Sequence, residues 1–150
     1  MSVLPIVIYP NKILRQKTQK IKNPKDSATR ELILDMIETL EKNNGLGLAA
    51  PQIGSLARLC VVKLNRDPKS KIFVLINPRI KFKSWKKEIG EEGCLSFPGK
   101  FIPVKRHKKI KVKAQDKNGK EMIIKAEGLL ARAFQHEIDH LDGVLFIDKK

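Results

Sequence analysis

Apolar side chains recur at helical spacing in two stretches of the chain and at alternating spacing in several others. Ile33, Met36, Ile37 and Leu40 stand three and four residues apart, one face of a helix. Asp26 or Ser27 offers an N-cap before them, and Asn43, Asn44 and Gly45 a stop behind, so the pattern predicts a helix over 27–43. Leu130, Ala133, Phe134, Ile138 and Leu141 repeat the spacing and predict a second helix from Gly128 to Leu141, with Gly143 as its stop. Between them, Ala57–Leu64 and Lys71–Asn77 are short apolar runs bounded by turn residues and read as strands. Arg79–Lys83 alternates. So does Lys109–Ala114, with Ile110, Val112 and Ala114 on one face and Lys109, Lys111 and Lys113 on the other. Asn118-Gly119 is a hairpin turn signal, after which Glu121–Ala126 returns as the partner strand. The first 25 residues, interrupted by Pro5, Pro10 and Pro24, predict irregular or weakly extended chain, and Gly45–Gln52 a glycine-rich loop.

Composition narrows the class. The 150 residues fit one domain, 1–150, with no repeat, linker or internal boundary. Apolar residues at 41% are enough for a core, and charged residues at 31% make the surface polar. The net charge of +15 makes polyanions natural neighbours. One Trp, one Tyr and six Phe are too few for an aromatic platform that stacks single-stranded nucleic acid. Cys60 and Cys94 do not make a disulfide framework. No apolar run approaches membrane-spanning length, and the N-terminus lacks the basic and small-residue features of a secretory signal. The expectation is a soluble protein of a reducing compartment.

The second helix carries His136-Glu-Ile-Asp-His140. Residues i and i+4 share a helix face, so both imidazoles can converge on one metal, with Glu137 beside them to take a proton from water. Two of the three histidines in the chain stand at this spacing. Zinc proteases with this motif draw their third ligand from downstream, where this chain offers only Asp142 and Asp148, both poorly placed. Upstream, Cys60 lies in an apolar run and reads as a buried small hydrophobe. His107 stands among Arg106, Lys108 and Lys109, a poor setting for a cation. Cys94, in Glu91-Glu-Gly-Cys-Leu-Ser96, could reach a metal as a thiolate, and it also suits a reactive or merely buried thiol.

Three segments together, Gly45-Leu-Gly-Leu-Ala-Ala-Pro-Gln52, Glu92-Gly-Cys-Leu-Ser96 and Gln135-His-Glu-Ile-Asp-His140, resemble the signature motifs of the peptide deformylase family, in order and at similar spacing. The resemblance runs from Tyr9-Pro-Asn11 through Leu145-Phe-Ile-Asp148, nearly the whole chain. It implies an α+β fold with mostly antiparallel sheets around a central metal-binding helix. It implies a hydrolase that removes the formyl group from N-formyl-methionyl nascent peptides and releases formate. It also implies Cys94, His136 and His140 as metal ligands, Glu137 as acid and base, and Gln52 with the Leu95 backbone N–H as donors to the formyl oxygen. The implied ion is Fe(II), with Zn(II), Ni(II) or Co(II) able to replace it. Gly45 and Gly47 allow close backbone approach, so a substrate could pair with Leu46 and Gly47 as an added strand. Leu46, Leu129 and Ala133 are the candidates for lining a methionine pocket.

Some positions stand apart from the resemblance. Arg132 lies where many members place an apolar residue, so the pocket rim should differ. Arg106 either braces the site through Glu92 or Asp139, or is one more surface cation. Deformylases often continue beyond the Leu-Phe-Ile-Asp segment into a helix that in some members docks on the ribosome, whereas this sequence ends at Lys150. The expected setting is the cytoplasm of a bacterial or phage-infected cell, or an organelle. The expected state is a monomer without membrane partners, with the ribosome as a partner through the basic surface. The rival readings are a zinc endopeptidase and a basic RNA-binding module without chemistry.

Overall fold

The structure, a computed structural model, describes residues 2–149. Strands β1 (Gly47–Ala49), β2 (Leu59–Lys63), β3 (Ile72–Lys83), β6 (Lys109–Gln115) and β7 (Glu121–Glu127) form an antiparallel sheet in the order β1-β2-β3-β6-β7. Strands β4 (Lys87–Cys94) and β5 (Phe97–His107) form a separate two-stranded ribbon. Helices α1 (Ser27–Lys42) and α2 (Gly128–Leu141) complete the α+β fold.

Helix α1 begins where Asp26 accepts a hydrogen bond from Thr29 N at 2.8 Å. It ends in a Schellman motif, with Gly45 N donating to Leu40 O and Asn44 N to Glu41 O. The left-handed residue there is Asn44, at φ 53°, so the stop precedes Gly45. Strand β2 is buried on both faces, as its unbroken apolar run requires. Leu59 and Val61 pack with Ile33, Met36 and Leu40 of α1, while Cys60 and Val62 pack with Ala131, Phe134, Ile138 and Leu141 of α2. The sheet is thus held between the two helices. Ile110, Val112 and Ala114 of β6 face α2 and leave Lys109 and Lys111 exposed, as alternation predicts.

Two expectations need correction, and one element had none. The two runs read as separate strands at 71–77 and 79–83 are one strand, β3, with register shifts between Ile76 and Arg79 and between Ile80 and Phe82. A bulged strand changes which face its side chains occupy, and this hides its continuity. The loop at 45–52 contains strand β1 and a 3-10 turn, Ala50–Ile53. The ribbon β4–β5 was not predicted at all. Its sequence alternates poorly because polar side chains hold it to α2.

Candidate active site

Helix α2 buries His136, Glu137 and His140, which lie on the side of the helix that faces the sheets. The two rings stand with centroids 5.1 Å apart, as the i and i+4 spacing requires. Cys94 ends β4, at a tight return in which it pairs with Phe97. Its Sγ lies 3.3 Å from His140 Nε2. One ligand atom from each of Cys94, His136 and His140 falls within 4.8 Å of the others. The downstream alternatives are engaged elsewhere, Asp142 with Arg58 at 2.8 Å and Asp148 with Arg15 at 2.5 Å. Cys60 is fully buried in the core, and His107 Nδ1 lies 2.7 Å from Ser84 O.

The 3-10 turn places Gln52 against this group. Its Oε1 accepts from Ala49 N at 2.9 Å, and its Nε2 donates to Ser96 Oγ at 3.2 Å and toward Cys94 Sγ at 3.5 Å. These bonds fix which end of the amide faces the thiol. The N-terminal segment crosses both elements, with Val7 N donating to Gln52 O at 2.7 Å and Tyr9 N to Ser96 O at 3.0 Å. Neither Ser96 nor this strap was singled out from sequence.

Glu92 organises the other side. It accepts from His136 Nδ1 at 2.8 Å, from Arg106 Nε and Nη2 at 2.9 Å each, and from Arg132 Nη1 at 2.7 Å. Arg106 also reaches Asp139 at 2.6 Å, so the bracing reading of Arg106 holds. Burial alone would raise the Glu92 pKa, but the hydrogen bonds from Arg106 and His136 outweigh it and hold it down at about 2. Glu92 therefore fixes His136 through Nδ1 and leaves its Nε2 for another partner.

The group fits a divalent metal. Burial opposes protonation of His136, yet Glu137, Cys94 and Glu92 overcome it and raise its pKa, the mark of a negative potential that suits a cation. His140 is held well below the usual range, first by burial and then by the His136 charge. Among the described residues its buried Nδ1 has no hydrogen-bond partner. One sulfur and two nitrogens would hold such an ion with three protein ligands, the number that catalytic sites use. Burial pushes Glu137 up to about 7. Among the described residues its buried Oε1 has no hydrogen-bond partner.

Part of this group borders a cleft of about 500 Å³. Gln52, Cys94, Leu95, His136 and Glu137 line it together with Gly45, Leu46, Gly47, Leu129 and Ala133, all five residues expected to contact substrate. A Cβ at Gly47 would lie 2.6 Å from Glu137 Oε2, so glycine is required there to admit the carboxylate. Strand β1, which carries Gly47, is an edge of its sheet, and Gly47 borders the cleft.

Residues 3–150 match the family model for polypeptide deformylase. The chain belongs to the polypeptide deformylase family. It is 49% identical to the peptide deformylase of Thermodesulfovibrio yellowstonii, over 99% of this chain and 90% of that protein. Identity to peptide deformylase 1 of Clostridium perfringens is also 49%, over 99% of this chain and 98% of the relative. The fold matches the crystal structure of the Thermotoga maritima deformylase with a TM-score of 0.92, at 39% identity, covering 99% of this chain and 98% of that one. It matches the Ehrlichia chaffeensis deformylase in complex with actinonin with a TM-score of 0.95, at 42% identity, covering 100% of this chain and 90% of that one. Deformylase function, metal-dependent hydrolysis that removes a formyl group from formylated nascent peptides, goes with the family. Among the described residues no helix is long and apolar enough to cross a membrane.

Proposed function

We propose that this chain, acting as one catalytic unit, hydrolyses N-formyl-methionyl peptides with Cys94, His136 and His140 as metal ligands and Glu137 as the proton carrier. The observation that supports this most is the convergence of one ligand atom each from Cys94, His136 and His140, with Cys94, His136, Glu137 and Gln52 lining a cleft that Gly47 of an edge strand also borders. When bound, the metal supplies Lewis acidity and acidifies water. The substrate's backbone pairs with β1 at Leu46 and Gly47, and its methionine side chain enters between Leu46, Leu129 and Ala133. Gln52 Nε2 and Leu95 N donate to the formyl oxygen as charge develops there. Glu137 takes a proton from the attacking water and delivers it to the departing amine, so the products are formate and a free N-terminal methionine.

One thiolate with two imidazoles suits Fe(II), Zn(II), Ni(II) and Co(II), and Fe(II) is the ion we assign in the cell. Iron beside a thiolate should make activity decay in air. The test is an anaerobic Fe(II) or Ni(II) assay on formyl-methionyl peptides, with Glu137→Ala at equal metal occupancy as control. Wild-type activity no greater than that of the variant would refute the mechanism, and cleavage of unformylated peptides would favour an endopeptidase.

The proposal extends to the setting, a cytoplasmic monomer held near ribosomal RNA by its basic face. Lys109 and Lys111 of β6 and Lys125 of β7 are exposed on the outer side of the sheet. Phe82 lies under Lys111 at 5.5 Å, and Trp85, three residues after Phe82, is 90% exposed. Co-sedimentation with ribosomes that weakens with salt supports this face as the contact. No co-sedimentation at low salt, or none lost in a Lys109→Glu/Lys111→Glu/Lys125→Glu variant, overturns it. A solution mass twice that of one chain overturns the monomer.

A further inference from the structure

Arg132, expected from sequence to make the pocket rim differ, is among the residues that line the cleft. Its guanidinium is spent on the ribbon. Nη1 donates to Glu92 Oε2 at 2.7 Å, to Val104 O at 2.8 Å and to Gly90 O at 3.4 Å, and Nη2 donates to Glu88 O at 2.8 Å. Gly90 and Val104 are register partners, so one side chain of α2 grips both strands. That side chain is 13% exposed. Glu92 receives four hydrogen bonds, the full acceptor capacity of a carboxylate, and Arg132 supplies one of them. The ribbon it grips carries Cys94, and the carboxylate it grips holds His136.

We infer that Arg132 is a positioning residue for the metal site, setting His136 through Glu92 and Cys94 through the β4–β5 ribbon, with Gly90 as the space that admits it. The inference rests on the ligand assignment proposed above. A Cβ at Gly90 would meet Arg132 Cζ and Nε at 2.9 Å. The guanidinium is the far end of a flexible chain, but four hydrogen bonds pin it. Moving it breaks them. Gly90 and Arg132 therefore act as one device, and the planar fork of arginine, not its charge alone, does the gripping.

The test uses Co(II)-loaded protein, reading the thiolate-to-metal absorption band and the affinity for Co(II) in competition with a chelator. Arg132→Ala is expected to weaken affinity about 10-fold and to alter the band, as loss of a group orienting a ligand does. Arg132→Lys should resemble it. Gly90→Ala should reproduce the loss with the arginine still present, and adding it to Arg132→Ala should cost nothing more. On substrate, kcat should fall with KM little changed. Cys94→Ser is the reference. If it loses the band while Arg132→Ala keeps wild-type affinity and band, Arg132 only supports the fold and the inference fails, with the site reading intact. If Cys94→Ser also keeps them, both fail. Full additivity of the two single variants refutes the pairing of Gly90 with Arg132.

Discussion

Gly47 and Glu137 occupy what would be one residue's space: the missing Cβ of the first would stand 2.6 Å from a carboxylate oxygen of the second and 2.8 Å from its Cγ. The backbone of β1 is held by its pairing to Val62, and Glu137 is buried on a helix, so neither side can yield freely. Gly47→Ala should displace the carboxylate on the order of 1 Å and lower kcat by roughly 100-fold. Metal content should stay at the wild-type level. Steady-state kinetics with metal analysis decides it, and an unchanged kcat would refute the contact.

Gln52 makes two separable contributions. Gln52→Ala leaves the buried Ala49 N–H without its acceptor, which should cost about 1–3 kcal/mol of stability. It also removes the donor facing Cys94, which should lower the rate roughly 100–1000-fold. Gln52→Glu keeps an acceptor for Ala49 and loses the donor. It should therefore show the rate loss with less of the stability loss. Thermal melts and deformylation rates on both variants separate the effects, and wild-type rates in Gln52→Glu would exclude the donor role.

Cys94 is the proposed ligand whose chemistry differs from the other two. Cys94→Ser replaces a soft thiolate with a hard hydroxyl, so metal content should fall or preference should shift among Fe(II), Ni(II) and Zn(II). Metal analysis after dialysis against a fixed chelator concentration measures this. Unchanged content and preference would mean that the sulfur is not a ligand.

Asp26 predicts an acid-side change in stability. Its hydrogen bond from Thr29 N lowers its folded pKa below the ordinary 3.8. A depressed carboxylate contributes stability that is present above its unfolded value and is lost as pH falls through the folded one. Asp26→Asn still caps the helix but cannot titrate. The melting-temperature difference between wild type and Asp26→Asn should therefore move against the wild type on acidification. A difference independent of pH would show that the charge contributes nothing.

Helix α2 was legible from sequence to its first and last residue, because apolar spacing and the glycine at its end both act locally. The β6–β7 hairpin was legible for the same reason, through alternation and Asn118-Gly119. The ribbon β4–β5 was not. Its buried positions include Glu92 and Arg106, which pattern reading counts as surface. Their bonds to each other and to Arg132, His136 and Asp139, the last three far from them in the chain, make burial affordable. The group that could hold a metal was readable because helical spacing brings His136 and His140 together, while Cys94 needed a family resemblance. Arg132 was noticed as a departure, but its partners on β4 and β5 are set by tertiary structure. A single local hint existed: Gly90, a small residue inside a strand, marks close approach by another group.

The ribbon meets α2 through Arg132, Gln135 and His136, each by hydrogen bonds, with Gln135 bonding both N and O of His107 at 3.0 and 2.8 Å. Contacts between methyl groups tolerate sliding, since dispersion has no preferred direction. Hydrogen bonds do not, since they weaken steeply off axis. The ribbon side of the cleft is thus mounted on spacers of fixed length, and the width of the cleft is gauged by rigid amide and guanidinium planes.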